Sequence, residues 1–315
     1  MNASLVDVFG RKMKKLRVSI LDACNFRCYY CMPKQPEFMH KSEWLSAEQI
    51  HEISENLVSL GLSEIRVTGG EPTLRKDFRE IILKLSDLSL SRLGLTTNGF
   101  RLGEELSFLK DTNCKYINVS LDSLSEQTFL EITGSRYLSQ IKKNIEAASK
   151  LEFKVKVNVV LMKGVNDDEL FNFLEFAREA NVELRFLELM KIGQANHLWA
   201  NSKFISSKEV RDTIGEKIDL TPCLSEADST STNYLTPFGT KIGFISSESN
   251  PFCHSCSRLR LSASGVLRGC LMKEDGISLK GIAFEKYPMI LSKVIATKPY
   301  SRIYELPQNM YQVGG

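Results

Sequence analysis

A regular alternation of two residue patterns between residues 14 and 190 constrains the fold of this chain more than any other feature. Six short runs rich in β-branched residues alternate with stretches of helical periodicity. Strands that alternate with helices form parallel sheets, so the pattern predicts an α/β protein. A closed β/α barrel contains eight such units. About six units therefore predict a partial, three-quarter β/α barrel that is open along one side.

The boundaries of these elements follow from apolar periodicity and from capping residues. The predicted strands cover residues 16–21, 64–68, 92–96, 116–121, 153–161 and 183–189. The predicted helices cover residues 46–60, 75–86, 103–110, 125–132, 138–151 and 167–180. Asp167 is expected to be the N-cap of the last helix, because its side chain can accept a bond from an N–H group of the first turn.

The alternation ends after Gly193, and this change predicts a second domain. Shorter strand patterns follow at residues 241–246, 258–263 and 266–271. We therefore expect a barrel domain over residues 1–193 and a smaller C-terminal domain over residues 194–315.

Composition limits the classes of function. The chain has 315 residues, 43% of them hydrophobic, which is enough to bury a sizeable core. The net charge of +3 is small, so binding to nucleic acid or to a membrane surface is not expected. No apolar run reaches the length of a transmembrane helix, and positive charge follows the first apolar patch instead of preceding it. These features predict a cytoplasmic protein.

Three cysteines lie close together after the first predicted strand. Cys24, Cys28 and Cys31 have the spacing C-x3-C-x2-C, without an obvious fourth ligand. Structural zinc sites and ordinary electron-transfer clusters usually have four protein ligands. Three thiolates on a four-iron cluster leave one iron open to another molecule, as in a catalytic metal site. A zinc loop and a set of incidental thiols are the alternatives.

This spacing resembles that of the radical S-adenosylmethionine (SAM) enzymes. The resemblance implies that the three cysteines hold a 4Fe–4S cluster whose open iron chelates the amino and carboxylate groups of SAM. It also implies that one electron from the cluster breaks an S–C bond and releases a 5′-deoxyadenosyl radical. Tyr30, between the second and third cysteines, is expected to lie near the adenine.

Glycine-rich and polar motifs follow the other predicted strands, among them TGGEP at 68–72, TTNG at 96–99 and SLDS at 120–123. Because the carboxyl ends of the strands carry the active site of a β/α barrel, we expect these motifs at one edge of the sheet. Gly69 and Gly70 allow the backbone to approach a zwitterionic ligand closely. Together with Glu71 they resemble the family's segment that binds the SAM amino group. A plain strand-to-helix turn is the alternative.

The fifth predicted strand alternates apolar and polar residues. Val155, Val157 and Val159 point to one side, and Lys156 and Asn158 point to the other. The inner face of a filled barrel is apolar, so a polar inner face predicts a polar ligand inside. An edge strand with a solvated face is the alternative.

Cations on other predicted strands share this inner face. They are Arg17, Arg66 and Arg185, which join Lys156. Sets of Arg and Lys residues typically bind phosphate groups, so the pattern indicates an anionic substrate.

A second group of three cysteines lies nearer the C-terminus. Cys253, Cys256 and Cys270 have the spacing C-x2-C-x13-C, which again predicts a cluster with an open iron, here one that binds a substrate atom. Arg258 and Arg260 lie on one face of the next predicted strand, beside this cluster. A zinc knuckle completed by the histidine inside the C-x2-C loop is the alternative.

The two cysteine groups, the Arg258 and Arg260 pair and the terminal Gly314 and Gly315 together resemble the GTP 3′,8-cyclase family of molybdenum cofactor biosynthesis. The resemblance implies a lyase that converts GTP to (8S)-3′,8-cyclo-7,8-dihydroguanosine 5′-triphosphate. It implies that the N-terminal cluster cleaves SAM and that the C-terminal cluster binds guanine. The radical then takes a hydrogen from the ribose C3′, and this carbon attacks C8 of the base.

Matching positions imply three sets of site residues. SAM is expected to contact Tyr30, Gly69, Gly70, Glu71, Ser120 and Met190. GTP is expected to contact Arg17, Arg66, Thr97, Lys156, Arg185, Arg258 and Arg260. The predicted catalytic residues are Arg258, Arg260, Gly314 and Gly315, and the two glycines have no side chains that would keep them out of a crowded pocket. The predicted metal ligands are Cys24, Cys28, Cys31, Cys253, Cys256 and Cys270.

The resemblance also implies partners beyond the substrate GTP. They are an electron donor such as flavodoxin or ferredoxin and, downstream, cyclic pyranopterin monophosphate synthase. Whether the chain forms a homodimer is left open by the sequence. A radical enzyme that modifies a peptide and carries an auxiliary cluster is the first alternative function. A non-catalytic zinc-binding protein is the second.

Overall fold

A row of parallel strands forms the centre of the fold. The computed structural model describes residues 5–226, 228–303 and 309–313. Its first six strands are β1 (Lys15–Ser19), β2 (Glu64–Thr68), β3 (Arg92–Thr97), β4 (Cys114–Ser120), β5 (Lys154–Leu161) and β6 (Glu183–Glu188). Each pairs in parallel with the next along the chain, as the alternating pattern predicts.

Amphipathic helices connect these strands. They are α1 (Ala47–Ser59), α2 (Phe78–Ser86), α3 (Leu102–Lys110), α4 (Glu126–Thr133), α5 (Leu138–Lys150) and α6 (Leu170–Glu179). α1 shows why they form, since Ser46 and Gln49 cap each other's backbone N–H groups at its start. Its buried residues, including Ile50, Ile53 and Leu57, recur at spacings of three and four and face the core.

The predicted start of α2 at Arg75 is wrong by three residues. The Arg75 guanidinium donates to the backbone carbonyls of Ile20, at 2.5 Å, and Leu45, at 2.6 Å. This buried arginine ties the end of β1 to the chain before α1, which holds residues 75–77 outside the helix. The helix therefore begins at Phe78.

The sequence predicted Asp167 as the N-cap of α6, and this prediction is wrong. The Oδ1 atom of Asp167 accepts a bond from the backbone N–H of Gly164 at 2.7 Å, and a short 3-10 turn covers Asp167–Glu169. The buried carboxylate of Glu169 accepts instead from Ser123 Oγ and from the backbone N–H of Leu124, both at 2.6 Å. Both carboxylates accept bonds from loop residues and not from the first turn of the helix. The regular helix therefore begins three residues later than predicted.

The C-terminal region supplies shorter elements. They are α7 (Ala195–Ala200), α8 (Ser207–Gly215), β7 (Thr221–Cys223), β8 (Thr232–Leu235), β9 (Lys241–Ile245), β10 (Arg258–Leu261), β11 (Val266–Arg268), β12 (Ile277–Ser278) and α9 (Tyr287–Ala296). β9 pairs in parallel with β6, and β10 pairs in parallel with β1. The chain thus returns to both edges of the six-stranded row.

The described strands form one open sheet with the order β12-β11-β10-β1-β2-β3-β4-β5-β6-β9-β8-β7. The row from β10 to β9 is parallel, and antiparallel hairpins extend it at each end. This open α/β sheet confirms the predicted partial barrel. The division into residues 1–193 and 194–315 stays a prediction.

The two faces of β5 follow the predicted alternation. Its valines at 155, 157 and 159 are buried in the main apolar core, whereas Lys156 and Asn158 are only partly buried on the opposite face. Within the described part of the chain, no helix combines the length and apolar character needed to cross a bilayer.

Candidate active site

A cavity of about 350 Å³ lies at the carboxyl ends of the parallel strands. All six clustered cysteines lie in its wall, so the two triplets, far apart in sequence, share one chamber. Eight of the other predicted site residues that the structure describes also line it: Arg17, Tyr30, Gly69, Gly70, Thr97, Ser120, Arg185 and Met190. Arg258 and Arg260 are two further predicted site residues in this wall.

The loop of the first triplet is held by backbone and sulfur contacts. The N–H of Phe26 donates to Cys24 Sγ at 3.4 Å, and Asn98 Nδ2 lies 3.8 Å from the same sulfur. The N–H of Cys31 donates to the carbonyl of Cys28 at 2.9 Å, which closes a tight turn between these two ligands. The chain thus folds back on itself so that three sulfurs face the cavity.

The donor set fits a bound iron–sulfur cluster. Burial raises the pKa of Cys24 to about 11 and that of Cys31 to about 12, so these thiols need a positive partner to ionise. Iron supplies such a charge, and thiolates are its usual ligands in clusters. Among the described residues no three His, Cys, Asp or Glu side chains converge on a single-ion site. A four-iron cluster needs no such convergence, because each thiolate binds a different iron.

The glycines after β2 fit against the first loop. The N–H of Gly70 donates to the carbonyl of Leu21 at 2.8 Å, and a Cβ added at Gly70 would lie 2.2 Å from the carbonyl oxygen of Ala23. At Gly69 an added Cβ would lie 2.5 Å from Leu21 O. Only glycine can bring the two backbones this close. The sequence indicated close approach to a ligand, and the structure shows close approach to the cysteine loop as well.

Glu71 lies behind the cavity wall, fully buried. Its carboxylate accepts from Thr73 Oγ1 at 2.6 Å, from Thr97 Oγ1 at 2.8 Å and from the backbone N–H of Asn98 at 2.6 Å. Burial raises its pKa above the usual value, while these bonds act in the opposite direction. Glu71 thus joins the ends of β2 and β3; its predicted contact with SAM stays a prediction.

Tyr30 is fixed by an acid that the sequence analysis missed. The Tyr30 hydroxyl donates to Asp122 Oδ2 at 2.6 Å, and the N–H of Val160 donates to Asp122 Oδ1 at 2.8 Å. Burial raises the pKa of Asp122 to about 6. The SLDS motif after β4 pointed to this position, but only the fold shows that it meets the cysteine loop.

Several buried polar atoms of the wall have no hydrogen-bond partner among the described residues. Thr96 Oγ1, Asn118 Oδ1, Asn158 Oδ1, Ser247 Oγ and Arg302 Nη1 are unsatisfied. Buried polar groups are rarely left unpaired, so such atoms indicate where a polar ligand sits. The register aligns Thr96 with Asn118 on neighbouring strands, and places Asn158 beside Arg185. The TTNG motif and the polar face of the fifth strand pointed to Thr96 and Asn158, whereas Asn118, Ser247 and Arg302 carried no sequence signal.

Three arginines stand side by side on adjacent strands. Register pairs Arg260 with Arg17 and Arg17 with Arg66. Burial and the neighbouring cations lower the pKa of Arg17, and burial lowers that of Arg260 to about 10. Like charges directly opposite each other destabilise a sheet unless negative charge compensates them, so this row is suited to bind an anion. Arg66 lies just outside the wall and donates to the carbonyl of Leu95 at 3.1 Å.

Lys156 lies beside the cavity and forms an ion pair with Glu183 at 2.8 Å. Arg185 also pairs with Glu183 through Nε at 2.8 Å, so one carboxylate neutralises part of this cationic group. Burial and the charge of Arg185 lower the pKa of Lys156 to about 8 in spite of this acid. The sequence pattern indicated the cations but gave no signal for the acid between them.

The second triplet has cationic surroundings. Lys298 Nζ lies 3.3 Å from Cys256 Sγ, and Arg258, Arg260 and Arg302 line the same wall. These charges, foremost Arg258, outweigh burial and lower the pKa of Cys256 to about 6. His254 is exposed and lies outside the cavity wall.

Part of the predicted site cannot be compared with the fold. Gly314 and Gly315 lie outside the described residues. The short turn before them, Met310–Val313, places Met310 and Tyr311 in the cavity wall. A separate cavity of about 380 Å³ lies beside α8, β8 and β9 and is lined by no cysteine.

The sequence of the chain matches two families. The Radical SAM superfamily matches residues 18–177, and Molybdenum Cofactor Synthesis C matches residues 182–302. The chain therefore belongs to the radical SAM superfamily. It is 45% identical to a Synechocystis protein over 316 residues, 100% of this chain and 96% of the relative. A Campylobacter curvus relative is 38% identical over 99% of this chain and 100% of its own length. Both are named GTP 3′,8-cyclase, and the chain belongs to this family.

These memberships confirm the predicted class, a radical SAM lyase of molybdenum cofactor synthesis, and its cofactors, SAM and two 4Fe–4S clusters. Solved structures agree on the fold. Streptococcus suis SuiB bound to SAM has a TM-score of 0.65 at 13% identity, over 90% of this chain and 67% of that one. Native anSMEcpe with bound AdoMet has a TM-score of 0.55 at 13% identity, over 87% of this chain and 80% of that one.

Proposed function

We propose that this chain converts GTP to (8S)-3′,8-cyclo-7,8-dihydroguanosine 5′-triphosphate inside the shared cavity. The observation that carries the proposal is the presence of both cysteine triplets in one wall, with a row of arginines on the adjacent strands β10, β1 and β2. A substrate held in this chamber lies within reach of groups bound at either triplet.

Cys24, Cys28 and Cys31 hold the first cluster in this proposal. Bound there, the cluster and SAM supply a 5′-deoxyadenosyl radical. The chain contributes orientation: Gly69 and Gly70 set the spacing between the β2 end and the cysteine loop. Their backbone polar groups, with Ser120 and Met190, form the SAM side of the wall.

Unsatisfied acceptors in this part of the wall accept hydrogen bonds from SAM in this proposal. Asn118 Oδ1 and Asn158 Oδ1 are buried and accept no bond within the described chain. Hydroxyl and ammonium groups of a nucleoside-containing cofactor are donors that satisfy such atoms. Tyr30, held by Asp122, closes the same side with an aromatic ring.

Cys253, Cys256 and Cys270 hold the second cluster, next to the cations. Arg17, Arg258 and Arg260 donate to the phosphate oxygens of GTP, since a guanidinium matches two oxygens at once. Arg185 extends this surface on β6, while Arg66 and Lys156 reinforce its positive field from behind. Thr97 contributes a hydroxyl at the end of β3. The arginines thus orient the nucleotide so that its base faces the second triplet.

The proposed electron donor, the enzyme that consumes the product and the cellular compartment follow from the same chemistry. Cleavage of SAM consumes an electron, so a low-potential donor such as flavodoxin or ferredoxin is the proposed reductant. The proposed consumer of the product is cyclic pyranopterin monophosphate synthase. Oxygen-sensitive clusters and free thiols suit the cytoplasm. The homodimer remains a secondary proposal.

Anaerobic incubation with GTP, SAM and a reductant tests the proposal. We expect 5′-deoxyadenosine and the cyclised nucleotide to form together, and ATP to give neither above the nucleotide-free background. No GTP-dependent increase in 5′-deoxyadenosine would overturn it. Metal analysis of the same preparation gives roughly eight irons per chain for two 4Fe–4S clusters. About two zinc ions and no iron would support a zinc-binding protein instead.

A further inference from the structure

The ammonium of Lys298, a residue outside the predicted site, is buried at the second triplet. Only 4% of this residue is exposed. Its Nζ donates to the carbonyl of Arg258 at 2.7 Å, to the carbonyl of Gly269 at 2.8 Å and to Cys256 Sγ at 3.3 Å. These three bonds use all the donor capacity of an ammonium.

The three acceptors belong to the segments that carry the predicted ligands. Cys256 is itself a ligand, Arg258 begins β10 two residues later, and Gly269 immediately precedes Cys270. One ammonium therefore joins the two ligand segments across 14 residues of chain. The close fit extends to Gly269, where an added Cβ would lie 2.6 Å from the carbonyl oxygen of Val294.

A second cation holds the remaining segment from outside. Arg11 Nη1 donates to the carbonyl of Cys253 at 2.6 Å and to that of Pro299 at 2.8 Å, and Nη2 donates to the carbonyl of Lys298 at 3.1 Å. Arg11 is neutralised by Asp7 and touches only backbone atoms here. The position of Lys298 is thus set independently of its own side chain.

Burying an ammonium is costly unless a negative charge compensates it. Two of the acceptors are neutral carbonyls, and the negative charges acting on Lys298 come from Cys256 and Cys270. The ion pair is therefore complete only when these cysteines are thiolates, as they are when they hold a cluster. A hydrogen bond from a cation withdraws electron density from a ligating sulfur.

We propose that Lys298 is a positioning residue of the C-terminal cluster, which raises the cluster's reduction potential through its bond to Cys256 and holds the segments of Cys256 and Cys270 together. A nearby positive charge favours the more negative, reduced cluster, and this raises the potential. The same withdrawal of electron density makes an open iron a better acceptor for a substrate atom. The inference rests on the proposed function, since it requires a cluster at this triplet.

The test isolates the second cluster in the full chain. Cys24, Cys28 and Cys31 are replaced by Ala together, the protein is reconstituted anaerobically, and the potential is measured by a titration followed by electron paramagnetic resonance. Lys298→Met removes the charge and nearly keeps the length, Lys298→Arg keeps the charge, and Lys293→Met removes an exposed charge from α9 as a control. GTP affinity is measured on each variant by equilibrium binding.

We expect Lys298→Met to lower the potential and to weaken GTP binding by about tenfold or more, the range for lost partners of metal ligands. Lys298→Arg should lie between this variant and the parent, and Lys293→Met should match the parent. Loss of the cluster in Lys298→Met alone also supports the proposal. An unchanged potential in Lys298→Met overturns it, and so does equal loss of the cluster in the Met and Arg variants. A parent without roughly four irons would instead contradict the proposed function.

Discussion

The two cysteine triplets face one cavity but have opposite electrostatic surroundings. Burial raises the pKa values of Cys24, Cys28 and Cys31, and the carboxylates Glu71 and Asp122 add to this effect. Arg27 acts on Cys24 in the opposite direction but does not outweigh them. Around Cys256 the charges are cations, and the pKa is lowered to about 6 in spite of burial. The same ligand type thus sits in a negative setting at one end of the chamber and a positive setting at the other.

The difference matches the two proposed occupants. SAM carries a sulfonium and an ammonium, so acids near the first triplet favour its approach, while GTP carries several negative charges and needs the cations near the second. A single chamber with one sign of charge would bind one of them at the expense of the other. The asymmetry therefore gives the proposed cofactor and the proposed substrate different sides of one cavity.

Removing a ligand from the first triplet should have the largest effect, and it should affect one triplet without the other. Cys24→Ala leaves two thiolates, too few to hold the cluster as proposed, so we expect SAM cleavage to fall to background while GTP binding at the second triplet survives. The measurements are 5′-deoxyadenosine release and equilibrium binding of GTP. Cys223→Ala, at the edge strand β7, is the matched control and should keep full activity. SAM cleavage by Cys24→Ala would show that the triplet has another role.

Removing a cation from the second triplet should separate the two functions. Arg258→Ala deletes a charge that acts on both Cys256 and the anion site, and charged hydrogen bonds are worth about 1.5–3 kcal/mol, or roughly 10- to 150-fold. We expect product formation to fall by this factor and uncoupled SAM cleavage to stay within about twofold. Arg268→Ala, on the neighbouring strand β11 outside the cavity wall, is the control. Equal loss of both activities would contradict separate sites.

The local parts of this architecture could be predicted from the sequence. The strand positions follow from β-branched runs, and the cysteine spacing identified both triplets, because these signals lie within a few residues of each other. The places of the C-terminal strands in the sheet could not be predicted. β9 and β10 join opposite edges of the row, and this arrangement brings Arg260 beside Arg17.

The contacts that tune each triplet depend on that strand order. Tyr30 and Asp122 are 92 residues apart, and Lys298 lies 42 residues from Cys256. A lone aspartate in a strand-end loop and a lysine after a C-terminal helix resemble ordinary surface residues in sequence. Only the packing of distant segments buries them and gives them a partner.

A smaller effect is expected from the acid that supports the first loop. Asp122→Asn replaces a charged acceptor of the Tyr30 hydroxyl by a neutral amide and keeps an oxygen for the N–H of Val160. The lost charge is worth roughly 1 kcal/mol, so we expect the KM for SAM to rise about three- to tenfold at unchanged iron content. Tyr30→Phe should have a similar effect, and the double variant should add little to either. Additive effects would mean that the two residues act independently.

The smallest expected effect is a pH dependence on the cationic side. Lys156 has a pKa lowered to about 8 by burial and by Arg185, so its ammonium is charged at pH 7 and mostly neutral at pH 9. Glu183 and Lys241 are the other charged groups near it. The charges of Arg185 and Lys156 outweigh burial and lower the pKa of Glu183, so its carboxylate stays ionised across this window. At one unit above the pKa roughly a tenth of the ammonium remains, so the KM for GTP should rise less than about tenfold between pH 7 and pH 9. Lys156→Arg keeps its charge throughout and should flatten this rise, whereas the KM for SAM should not change between the two proteins. A pH profile that is the same for Lys156→Arg and the parent would place the titrating group elsewhere and would remove Lys156 from the cationic side.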